Sequence, residues 1–245
     1  MATYNDEAIV LRTHRLGEAD RIVTVISRAH GKLRGVAKGV RRTSSKLGAR
    51  LEPFALVDLQ IIEGRSLDIF TQVVSRQLYG KAMLDDYARY TAAEVMVEMV
   101  DKLVPEERIP ALQQYHLLAG GLHTLVTGTT DGPRPSTMIL TSYLLRSAAI
   151  AGYAMAIADC AACGARGPHP WFHAAAGGLV CANCKPLGSA AVAGATAHYL
   201  IALLTGDWPA TAEVPANRVA EAAGLVRAFL TWHLDRGLSS LRHLE

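Results

Sequence analysis

The chain has 245 residues, half of them apolar, and a formal net charge of only +3. That supports one large cored domain or two modest ones. No run approaches the roughly eighteen apolar residues of a membrane span, and the opening MATYNDEAIV lacks a signal-peptide pattern, so a cytoplasmic protein is expected. The small net charge conceals an asymmetry: residues 1–80 hold 13 basic and 8 acidic side chains, and the remainder 12 and 14. A basic amino half on a near-neutral body fits a polyanion-binding module joined to something else.

Residues 1–79 read as strands. EAIVLRT (7–13), DRIVTVIS (20–27) and KLRGVAK (32–38) are rich in β-branched residues, with Gly17 and His30-Gly31 between them. FALVDLQII (54–62) and SLDIFTQVV (66–74) follow, joined by Glu63-Gly64-Arg65. Val57, Leu59 and Ile61 alternate with polar residues, and Leu67, Ile69 and Val73 do the same, so each strand is expected to have one buried face. Five short strands with a longer link after the third predict an oligonucleotide/oligosaccharide-binding (OB) β-barrel over 1–79.

After Gly80 the period becomes helical. Helices are predicted over 81–104, 109–128, 136–153 (N-capped by Ser136), 187–206 and 214–238. The last has wide apolar stripes that include Phe229 and Trp232 and should be buried in a bundle. The fold class is therefore α+β multidomain: an OB barrel, then an all-α domain over 80–245 that carries a zinc-ribbon-like insertion at 156–186.

That insertion holds every cysteine, Cys160, Cys163, Cys181 and Cys184, in the spacing C-x2-C-x17-C-x2-C. Two residues between cysteines make a tight turn that aims both sulfurs at one ion, and two such turns complete a tetrahedron with Zn–S of about 2.3 Å. Gly164 permits close backbone approach, and WFHAAAGGLV can form a hairpin turning at Gly177-Gly178. An iron–sulfur centre and two redox dithiols use the same ligands. One structural zinc per chain is the reading adopted, with His169 and His173 as ordinary loop residues. A closed four-thiolate site keeps no open position for catalysis.

From Arg21 to Leu51 run nine Lys or Arg, and no Asp or Glu lies between Asp20 and Glu52. Period two places Lys32, Arg34 and Lys38 on one strand face. RRTSSKLGARLEP is expected to form a short helix, capped by Ser44 or Ser45, with Leu47 and Leu51 inward and Lys46 and Arg50 outward. Residues 1–79 hold only Tyr4, Phe54, Phe70 and Tyr79 as aromatics, too few for base-stacking platforms. Binding should be phosphate-directed and sequence-blind, with a log–log salt slope on the order of −4 for roughly six phosphates on a single strand. Such a grip leaves base faces free to pair.

No catalytic constellation emerges. Asp85-Asp86 with Glu94, Glu98 and Asp101 read as a solvated helix face, and no phosphate-cradling GxxxxGK[ST] motif is present. The chain is expected not to be an enzyme.

The ordered set GEADRIV, HGKLRGVAKGVRR and LEPF resembles the amino-terminal domain of the RecO family of bacterial recombination mediators. The expected architecture agrees along the whole chain. The resemblance implies binding of single- and double-stranded DNA, annealing of complementary strands, and loading of RecA on SSB-coated DNA together with RecR. It also implies docking of the SSB tail on the helical domain. DNA contact would fall on the basic OB surface, here Lys32, Arg34, Lys38, Arg41, Arg42, Lys46 and Arg50. An RNA-binding or ribosome-associated OB/zinc-ribbon protein is the competing expectation.

Overall fold

The computed structural model describes residues 2–42, 45, 47–234 and 238–240. Five strands open the chain: β1 (Thr3–Leu16), β2 (Asp20–Ser27), β3 (Gly31–Ala37), β4 (Ala55–Ile62) and β5 (Asp68–Leu78). They close in the order β1-β2-β3-β5-β4, with every pairing antiparallel except the short β3–β5 seam. β1 outruns its apolar core because its two halves serve different neighbours. Thr3–Ile9 pair with β4 and Ala8–Leu16 with β2, and a bulge at Leu11 bends the strand between them.

The barrel interior is filled by Val10, Val23, Val25, Leu33, Val57, Leu59, Ile61, Phe70 and Val73, among others. The alternation expected for β4 holds, but that for β5 does not. Gln60 pairs with Gln72 and Ile61 with Phe70, so Thr71 is an extra residue that shifts the phase of the strand. Phe70 and Val73 therefore point inward, while Asp68, not Leu67, is fully buried. Gly35 is required by Phe70: a Cβ there would lie 2.5 Å from the phenyl ring.

The first predicted helix is broken in two, α1 (Tyr79–Ala82) and α2 (Tyr87–Leu103). Asp86 causes the break. It stands at the N-cap of α2, and its carboxylate accepts from the Arg89 N–H at 3.0 Å. α3 (Leu112–Thr127) follows. Phe54, held at φ 69° just before β4, packs edge-on against Tyr90 of α2 with centroids 5.2 Å apart. A buried aromatic in the left-handed region is strained, and here the packing holds it.

The chain divides into two compact units, residues 1–126 and 127–245. α2 and α3 thus group with the barrel. The second unit contains α4 (Ser136–Ile150), α5 (Gly194–Thr205) and α6 (Ala216–His233), with α4 packed on both of the others. The entry to α4 corrects an expectation: Pro135 occupies the N-cap and Ser136 is already helical, because the proline's extended ψ of 139° sets the entry. α5 is shorter than its apolar run because Ala190–Ala191 form strand β8, paired with β6 (Trp171–His173), which also pairs with β7 (Gly178–Val180). On α6, Phe229 and Leu230 are buried, but Trp232 is 64% exposed, contrary to the expected stripe. No helix among the described residues is long and apolar enough to cross a membrane.

Candidate nucleic-acid interface and metal centre

The acid-free run is acid-free only along the chain. Arg21 pairs with Glu52 at 2.7 Å, Arg34 with Glu107 at 3.2 Å, and Arg28 lies 3.8 Å from Glu7. Lys32 must be withdrawn from the expected surface. It is 7% exposed and its ammonium lies 3.1 Å from the Asp101 carboxylate on α2. Lys32 lies on the same face of β3 as Arg34, but there it is covered by helix α2. Asp101 also accepts from Arg12 at 2.8 Å, so it is a half-buried hub rather than part of a solvated helix face. Burial raises its carboxyl, yet the hydrogen bonds from Arg12 and Lys32 together hold it below the usual range.

Arg50 is also not turned freely outward: its guanidinium donates to the Val73 carbonyl at 2.8 Å. The expected short helix is a single 3-10 turn, Gly48–Arg50, without a side-chain cap. Leu51 is buried and Leu47 half-buried against the barrel core, as their spacing indicated. Lys46, and Ser44 as a possible cap, lie outside the described residues.

Lys38, Arg41 and Arg42 remain. None meets a carboxylate within ion-pair distance among the described residues. The loop that carries them is nonetheless fixed. The Gly39 N–H donates to Asp20 at 2.7 Å, and the Arg41 N–H to the Ala19 carbonyl at 2.9 Å. Val40 is 3% exposed and belongs to the barrel core. The Arg41 guanidinium donates to the carbonyls of Glu18 and Gly17 at 3.0 and 3.3 Å, so its charge stays uncompensated. Three exposed cations thus stand on a rigid loop beside the β1–β2 turn. Sequence reasoning missed Arg15, which sits outside the acid-free window. It is exposed, stands directly opposite Arg21 in register, and lies at that same end of the barrel. A pairing register, not a charge count, would have found it.

The four aromatics of residues 1–79 are committed elsewhere. Phe54, Phe70 and Tyr79 are buried, and Tyr4 packs on His30 with centroids 4.6 Å apart. No stacking platform is available from them.

In the second unit the four cysteine sulfurs lie within 4.8 Å of one another. Cys163 and Cys181 Sγ are 4.0 Å apart, near the edge of about 3.8 Å that a tetrahedron with 2.3 Å metal–sulfur bonds requires. The Cys181 N–H points at Cys160 Sγ at 3.4 Å and lowers that thiol, the direction ligation needs; Cys184 is raised by its hydrogen bonds to Cys181 and Cys163. Gly164 adopts φ +71° with open space where a Cβ would stand, so backbone conformation rather than room demands glycine. The hairpin turns at Gly177, φ 91°, as expected. His169 and His173 bond to backbone, at Ala165 and Ala176, and stand outside the cluster. Four converging thiols can hold a metal ion.

Two family models together span almost the whole chain. "Recombination protein O N terminal" matches residues 1–79 and "Recombination protein O C terminal" matches 84–242. The chain is 57% identical over 245 residues to the DNA repair protein RecO of Cutibacterium acnes, covering all of both chains. It is 51% identical to the proteins of that name from Nocardioides sp. (99% of each chain) and Thermobifida fusca (100% of this chain and 99% of the relative).

Proposed function

Since the chain belongs to the RecO family of DNA repair proteins, we propose that it is a non-catalytic recombination mediator that grips DNA by its phosphates and anneals complementary strands. The closed strand order β1-β2-β3-β5-β4, with a parallel β3–β5 seam, supports reading the barrel as an OB fold. The observation that carries the function is the loop at Lys38, Arg41 and Arg42. Its cations lack carboxylate partners among the described residues, its backbone is pinned to the β1–β2 turn, and none of the four aromatics of residues 1–79 is free to stack on a base. Guanidinium and ammonium groups on a fixed loop bind backbone phosphates of single strands and duplexes alike. Bases left unstacked stay free to find complements.

In this reading Lys46 extends the loop's charge, Arg15 adds to it, and Arg34 contributes only after losing Glu107. Cys160, Cys163, Cys181 and Cys184 would hold one structural zinc ion, which would fix two tight turns and a hairpin of three-residue strands too small to bury a core alone. The partners are those of a cytoplasmic mediator: RecR, the SSB tail on the helical region, and RecA loaded onto the strand. Annealing of SSB-coated complementary oligonucleotides tests the proposal. Arg41→Ala/Arg42→Ala should slow it at least several-fold with the fold intact. Unchanged annealing by that variant would refute the assignment. RNA strands annealed in preference to DNA would favour the RNA-binding alternative.

A further inference from the structure

The segment 105–110, between α2 and α3, runs beside the edge of β3. Glu107 bridges to Lys32 in parallel, and the Arg108 N–H donates to the Lys32 carbonyl at 2.9 Å. Contact is so close that a Cβ on Gly31 would lie 1.7 Å from the Ile109 carbonyl oxygen. Arg108, itself at φ 64°, anchors the segment by donating to Glu63 at 2.8 Å and to the buried carboxylate of Asp68. The backbone is therefore fixed, while the Glu107 side chain reaches out to Arg34 at 3.2 Å, with 34% and 41% of the two side chains exposed.

Arg34 does not stand alone. Arg12, Thr24 and Arg34 occupy one register row across β1, β2 and β3, and so share a face of the sheet. The Thr24 hydroxyl between them is fully buried and has no hydrogen-bond partner among the described residues. The hydroxyl is out of reach of a ligand, but the two exposed guanidiniums that flank it are donors of the kind that take phosphate oxygens. Each guanidinium is answered by a carboxylate, Asp101 of α2 for Arg12 and Glu107 of the segment after it for Arg34.

The two carboxylates are not equivalent. Asp101 also receives the Lys32 ammonium and is half-buried. Glu107 sits on an exposed loop with a single contact to one guanidinium nitrogen. We propose that Glu107 is an exchangeable counter-ion masking a phosphate site at Arg34, so that a nucleic-acid backbone displaces the protein's own carboxylate as it binds. This rests on the nucleic-acid reading above and extends it. A phosphate takes guanidinium bidentately, whereas an exposed one-point ion pair is marginal, so the exchange is cheap and only a side chain moves. The effect is to moderate affinity, which suits a protein that must release the strands it pairs.

The test is titration of a fluorescein-labelled oligothymidylate, followed by anisotropy at several salt concentrations. Glu107→Gln should bind about two- to five-fold tighter, the range an exposed ion pair spans. Its salt slope should steepen by about 0.7, since Arg34 would then release a counterion on binding a phosphate. The gain should vanish in Arg34→Ala/Glu107→Gln, and Glu106→Gln should not reproduce it. Unchanged affinity in Glu107→Gln overturns the proposal, as does a gain that persists without Arg34 or that equals the Glu106→Gln effect. An unaltered chain that binds no oligonucleotide overturns the DNA-binding reading as well. DNA binding that depends on Lys38, Arg41 and Arg42 but ignores Glu107 overturns only the counter-ion.

Discussion

The ammonium of Lys32 lies 3.1 Å from the Asp101 carboxylate and donates to the Asp101 main-chain carbonyl at 2.9 Å. A cation from the most basic run of the chain is thus a strut between the third strand and the second helix. Arg12 meets the same carboxylate from the first strand. The basic run therefore splits into cations that hold the first unit together and cations left for a partner.

Lys32→Ala should destabilise the protein by about 2–3 kcal/mol, because it removes two charge-assisted hydrogen bonds and leaves Asp101 partly unpaired. DNA affinity of the folded variant should stay within about twofold of the unaltered chain, as befits a buried side chain. Urea unfolding and oligonucleotide titration read the two effects separately. A large loss of affinity with unchanged stability would return Lys32 to the interface.

Asp101 should make the first unit acid-labile. Its folded pKa is depressed, so its stabilising contribution is fully present above the unfolded value near 4 and is lost as pH falls through the lower folded value. Asp101→Asn should be less stable at neutral pH and show a flatter stability profile below about pH 4. Thermal unfolding across that range checks the sign. A steeper acid loss in the variant would contradict it.

Most of the fold was legible in the sequence. Residues 20–27 form the strand their β-branched run announced, and the Val57, Leu59, Ile61 alternation survives because β4 is regular on that face. Two errors share a cause. The phase of β5 and the length of β1 depend on bulges at Thr71 and Leu11, and a bulge is set by pairing that no single strand displays. The convergence of the four cysteines was legible, since two tight turns joined by a short hairpin bring the sulfurs together. The proposed DNA surface was legible only as a region. Glu7, Glu52, Asp101 and Glu107 arrive from elsewhere in the chain to pair with four of the nine cations of the basic run, and Arg15 joins through register alone.

The metal centre predicts about one equivalent of zinc per chain in protein purified without chelator. Cys181→Ala should lose the metal and lower the stability of the second unit, while Lys38, Arg41 and Arg42, in the first unit, keep their DNA contacts. Metal analysis and circular dichroism read the first effect, and oligonucleotide titration the second. Less than half an equivalent of zinc, or a metal-free variant of undiminished stability, would contradict the structural role.

The salt dependence of single-strand binding tests the central claim most directly. With Lys32 buried, Arg21, Arg28 and Arg34 paired and Arg50 bound to a carbonyl, about four exposed cations remain at that end of the barrel among the described residues, Arg15, Lys38, Arg41 and Arg42, so the log–log slope should be near −3 rather than −4. Lys38→Ala/Arg41→Ala/Arg42→Ala should bring it to about −1, with the thermal unfolding curve unmoved. A slope that the triple substitution leaves unchanged, or binding that persists with a fixed sequence preference at about 0.5 M salt, would show that the loop does not hold the phosphates.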